Sequence, residues 1–199
     1  MQKTNIIIVI ATIIVATVVS DVVFRAHAWS GQRSGTSAAP TKDPAARGRE
    51  LRRMMLTTRP QDIGLKPTNE FPRVYALLMD WPLGDQIATV FSASTGDASL
   101  YTTSAFGVIG GGGHEAVKTA AKALVRASDR HLTAANPTTE FPYPGEGHVR
   151  FYFLTFDGVR VIDTDLASVT NGTGKYAHLF GLGQGVLAEL RLIAEKKRK

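Results

Sequence analysis

The segment Gly107-Val108-Ile109-Gly110-Gly111-Gly112-Gly113-His114-Glu115 sets a run of glycines between an apolar stretch and a helix-like one. Consecutive glycines let backbone N–H groups converge, and the first turn of a helix has N–H groups with no partner inside the helix. A phosphate or carboxylate could be held there by Gly110, Gly111, Gly112 and Gly113, with His114 adding a hydrogen bond or a charge. Glu115 opposes such an anion. The segment also lacks the Gly-Lys-Ser/Thr of a P-loop and the GxGxxG spacing of a dinucleotide fold. The plainer role is a conformational connector, with Glu115 favouring the helix dipole. A second cluster, Phe180-Gly181-Leu182-Gly183-Gln184-Gly185, suits close backbone packing, the commoner use of alternating glycines, or a ligand.

Other chemistry is sparse. The chain has no cysteine, so neither a disulfide framework nor a thiolate zinc site is available. His27, His114, His131, His148 and His178 show no metal-ligand spacing, and Lys118 stands where HExxH would need its second histidine. No serine lies in a GxSxG elbow. Asp163 and Asp165 share one face of a strand and read as solvated carboxylates. Lys118, Lys122, Arg126 and Arg130 form a basic stripe on one helical face; it could meet an acidic partner or lipid headgroups, or be the solvated side of an amphipathic helix. Asn171-Gly172-Thr173 is a glycosylation sequon only in a secretory setting. No metal and no cofactor is expected. Catalytic residues are unassigned, and His114, Glu115 and His148 are the first to test for an enzyme.

The elements that must position these residues follow from periodicity and turn chemistry. Asp43 reads as the N-cap and Pro44 as the first residue of a helix running to Leu56, ended by Thr57, Thr58 and Pro60. Arg73–Asp80 is a strand stopped by Trp81-Pro82-Leu83-Gly84. Gln86–Ser94 and Ala98–Ile109 flank the turn Thr95-Gly96-Asp97. His114–Leu132 is the strongest helix, with Val117, Ala121, Leu124, Val125, Ser128 and Leu132 at helical spacing. Val149–Phe156 and Val159–Thr164 form a hairpin about Asp157-Gly158. A last helix covers Gln184–Lys196. The expected class is α+β: a mostly antiparallel five-stranded sheet with about three packed helices. In element order alone this is similar to the profilin and roadblock architectures, a likeness that carries over no functional residue.

Ahead of these elements, Ile6–Phe24 is an apolar run with one charge, Asp21, flanked by Lys3 and Arg25. About 18 such residues suffice to cross a hydrocarbon core of roughly 30 Å. The run reads as a single-pass anchor, with Trp29 at the interface, or as a signal peptide cleaved after Ala26-His27-Ala28. The side of the membrane faced by the remainder stays open, exported if the segment is cleaved. The expected organisation is an anchor or signal over 1–28, a flexible linker over 29–43 rich in Ser, Gly, Ala and Pro, and one domain over 44–199.

The net charge of +6 sits in the flanks. Residues 1–59 balance at +6, residues 60–194 at −3, and the tail 195–199 at +3. A mildly acidic folded part argues against nucleic acid as the partner. The leading reading is a membrane-tethered, non-catalytic binding or scaffold domain that meets the membrane through Ile6–Phe24 and a protein partner elsewhere. The alternative is a small-anion or nucleotide-binding domain using Gly110–His114, and an enzyme is the third.

Overall fold

The computed structural model describes residues 43–104 and 107–196. The apolar run Ile6–Phe24 and the linker up to Lys42 lie outside the described residues. No described helix is long and apolar enough to cross a membrane.

The domain is α+β: one antiparallel sheet with four α-helices. Helix α1 (Pro44–Thr57) is started as expected, since the Asp43 carboxylate accepts from the N–H groups of Ala45 and Ala46. Strands β1 (Val74–Leu83), β2 (Gln86–Ala93) and β3 (Ala98–Thr102) form a meander. Helix α2 (Glu115–Ser128) continues as a 3-10 turn over Asp129–Ala134. Then come β4 (Asn136–Pro137), β5 (His148–Thr155), β6 (Gly158–Asp165), α3 (Leu166–Thr170) and α4 (Ala177–Lys196). The sheet order is β3-β2-β1-β5-β6-β4, which puts the most apolar strands, β1 and β5, at the centre.

The sheet thus has six strands rather than five, and four helices rather than three. The extra strand is two residues long and pairs Asn136 and Pro137 with Val161 and Arg160. It lies at the sheet edge, the place where a proline, lacking an N–H, is tolerated. The extra helix, α3, is a single capped turn: Asp165 accepts from the Ser168 N–H.

Three boundaries differ from expectation for identifiable reasons. Strand β1 runs on through Trp81-Pro82-Leu83, paired with Ala88, Ile87 and Gln86, and the chain reverses at Gly84 with φ +65°. Strand β3 stops at Thr102 instead of reaching Ile109. The chain comes back alongside it, Leu100 and Val108 exchanging N–H···O bonds of 2.7 and 3.0 Å. A side chain on Gly107 would lie 1.8 Å from the Leu100 carbonyl oxygen, so this return requires glycine. Helix α4 begins at Ala177 and swallows the second glycine cluster. Gly183 faces Met79, whose Cε would be 2.5 Å from an added Cβ. Glycine costs a helix about 1 kcal/mol per residue; burying Leu179, Phe180 and Val186 against the sheet offsets it.

Each face of the sheet is covered. On one, Leu77, Met79, Val90, Phe151 and Phe153 pack against Val117, Leu124 and Val125 of α2 and Leu179, Val186 and Leu190 of α4. All six residues of the expected α2 stripe are buried. On the other, Ala76, Leu78, Tyr152 and Leu154 pack with Leu56 of α1, and Phe141 of the proline-rich loop closes over them.

Candidate functional site

The glycine run forms a 3-10 turn, Gly111–Gly113, entered through Gly110 at φ +76°. His114 is extended and exposed, its N–H bonded to the Gly111 carbonyl at 3.0 Å, and its side chain caps nothing. The glycines are where three elements meet. An added Cβ at Gly111 would lie 2.6 Å from Leu190 Cδ2 and 2.7 Å from Val117 Cγ1; one at Gly112 would lie 2.2 Å from Asp97 Oδ1. Close packing therefore accounts for Gly111 and Gly112. An anion on this loop would also face the Asp97 carboxylate in addition to that of Glu115.

The remaining candidates do not converge. His114 starts α2 on one face of the sheet. His148, at the start of β5, shares the opposite face with Arg150, its Nδ1 2.5 Å from Asp163 Oδ1. Asp163 is not a free carboxylate: its second oxygen accepts from Arg150 Nε at 2.5 Å. Within the basic stripe, Arg126 pairs with Glu70 and Arg130 Nε donates to the Ala127 carbonyl. No group of three His, Asp or Glu side chains suited to a metal ion occurs among the described residues.

The structure instead assembles a polar centre from residues the sequence reading passed over. Asp80 sits mid-sheet with no exposed surface, and Arg52 of α1 reaches it while 5% exposed. Arg52 Nε and Nη2 donate to Asp80 Oδ2 at 3.0 and 2.5 Å, and the Thr89 hydroxyl donates to Oδ1. Cross-strand register makes this a row, because Thr89 and Arg150 both lie opposite Asp80 and Asp163 lies opposite Arg150. Directly opposed residues share a face, so the charges alternate along the row. Burial pushes the Asp80 carboxyl above its ordinary range, while the donors from Arg52 and Thr89 pull it down.

The same guanidinium fastens the proline-rich loop. Arg52 Nη1 donates to the Phe141 carbonyl at 2.9 Å, and its Cζ lies 4.1 Å from the centre of the Tyr143 ring. The Pro142 carbonyl accepts from Arg150 Nη1 at 3.0 Å and from the Tyr152 hydroxyl at 2.5 Å. One centre thus ties α1, four strands and the loop over Thr138–Gly147 together. Two signals in the sequence pointed to it: an aspartate inside the buried strand VYALLMDW, and an arginine four residues before the core residue Leu56, hence on the same helical face. With Asp80 shut off from solvent, the centre's chemistry is that of a structural clamp.

Comparison with known proteins gives no match to a family model, a curated protein or a solved structure.

Proposed function

We propose that this chain is a membrane-tethered, non-catalytic binding or scaffold domain, held at the bilayer by Ile6–Phe24. The observation that carries the binding half is the loop over Thr138–Gly147. Three side chains rooted in α1 and β5 hold the Phe141 and Pro142 carbonyls, and the His148 N–H holds the Gly145 carbonyl at 3.1 Å, so the exposed Pro142, Gly145 and Glu146 sit on a backbone anchored on both sides. Preorganisation of this kind lowers the ordering cost of binding. The tethering half rests on the length and apolarity of the N-terminal run.

Two measurements test the proposal. Full-length chain should stay with membranes after an alkaline carbonate wash, whereas a fragment starting at Asp43 should be recovered folded from the soluble fraction. A photo-crosslinking residue at Glu146 in membrane-embedded protein should give one discrete adduct that the same residue at Lys122 does not. Intact full-length chain in the soluble fraction refutes the tether. Identical, diffuse labelling at both positions refutes the loop as the binding surface.

A further inference from the structure

The 3-10 turn that follows α2, the β5–β6 turn and β4 line an open cleft of about 340 Å³ that includes Arg73, Thr133, Thr155, Asp157 and Arg160. Its two arginines differ in how their charge is met. Arg73 is paired with the Asp129 carboxylate and also donates to the Asp129 carbonyl at 3.1 Å. Arg160, half-buried on β6, has no carboxylate partner among the described residues. Its Nη1 donates to the carbonyls of Leu132 and Ala135 at 3.3 and 2.8 Å, capping the 3-10 turn. Capping accounts for that nitrogen alone. A guanidinium carries five N–H donors in a planar fork, and no described hydrogen bond uses Arg160 Nε or Nη2.

We infer that this cleft binds a phosphate group, with Arg160 as its anchor and the already neutralised Arg73–Asp129 pair at its side. The planar fork of a guanidinium matches two phosphate oxygens at once. A half-buried cation met only by carbonyl dipoles gains more from an anion than an exposed lysine would. Thr133, exposed at the rim, offers a neutral donor. Asp157 is the one carboxylate in the lining and works against the ligand. The volume is at the lower end of small-molecule sites, roughly 300–1,000 Å³, and leaves room for a glycerol-sized body beside the phosphate. That body could belong to a soluble phosphate monoester or to a phospholipid headgroup. The cleft lies at the opposite end of α2 from Gly110–His114 and owes nothing to that loop.

The test uses the full chain in neutral detergent. Calorimetric titration with glycerol 3-phosphate should give a saturable heat, and glycerol none. Micelles doped with phosphatidic acid, against phosphatidylcholine, identify the source: a response to the micelles alone assigns a headgroup, and a response to glycerol 3-phosphate assigns a soluble ester. In either case Arg160→Gln should weaken binding about tenfold or more, the loss expected for a charged hydrogen-bond donor. Asp157→Asn should tighten it about twofold by removing the adverse charge. This second variant leaves the capping bonds in place, so its opposite sign is read even if Arg160→Gln fails to fold. No heat with either phosphate, or Asp157→Asn binding no tighter than the native chain, overturns the inference.

Discussion

Replacing Arg52 by methionine tests the clamp directly. The substitution keeps helix propensity and much of the volume but strands Asp80, which has no exposed surface. Breaking one side of a buried pair costs about 3–5 kcal/mol, because the remaining charge has lost its compensation. Thr89 still donates to the carboxylate and Arg150 still lies opposite it, which argues for the lower part of that range. The loop adds its own loss: the 2.9 Å bond from the charged guanidinium to Phe141 is worth about 1.5–3 kcal/mol, and the Tyr143 contact about 0.5–2 kcal/mol. These terms share one side chain and do not add, so the expected total is about 3–5 kcal/mol. Single domains have about 5–15 kcal/mol in all, and the variant should be marginally folded. Urea unfolding of the fragment beginning at Asp43, followed by far-ultraviolet circular dichroism, should show a lower midpoint with an unchanged slope. A second substitution, Asp80→Leu in the Arg52→Met background, should recover about 2 kcal/mol or more by removing the stranded charge. A single variant within about 0.5 kcal/mol of the native chain would refute the reasoning, as would a double variant less stable than the single one.

Other consequences can be checked on the same fragment. Gly183→Ala pushes a methyl against the tip of the buried Met79 side chain; the strain of about 1–3 kcal/mol is partly offset by about 1 kcal/mol of helix propensity, so in urea unfolding it should be less stable than Gly181→Ala, which has nothing within 4 Å and should be neutral or stabilising. Gly158 has φ +131° and open space around it, so Gly158→Val should cost about 1 kcal/mol or more through backbone strain alone. His131 is buried against Tyr176; desolvation, then the charges of Arg130, Lys175 and His178, hold its pKa below the usual value of 6.5. A depressed histidine favours the neutral form, so its contribution is present above about pH 6.5 and is lost as pH falls through the folded value. Urea midpoints should accordingly drop between pH 7.5 and 5, and drop less in His131→Gln.

Several features of this protein were legible in the sequence because their causes are local. Asp43-Pro44 sets a helix start through its own backbone geometry. The 3.6-residue spacing from Val117 to Leu132 sets the buried face of α2, and Asp157-Gly158 marks a hairpin, though the turn falls on Phe156-Asp157 with Gly158 opening β6. The alternation of strands and helices sets the α+β class. What the tertiary structure decided depends on residues far apart in the chain. Gly183 in the middle of α4 looks like a break until Met79, about a hundred positions earlier, is seen to occupy the space a side chain would need. The end of β3 depends on how closely Gly107 passes Leu100. Neither Arg52 nor Asp80 declares a partner along the chain, yet sheet register and the seat of α1 bring them to 2.5 Å. Local propensity is a matter of tenths of a kcal/mol to about 1 kcal/mol per residue, whereas a buried charge or a filled core position is worth several; where the two compete, the long-range contact fixes the outcome.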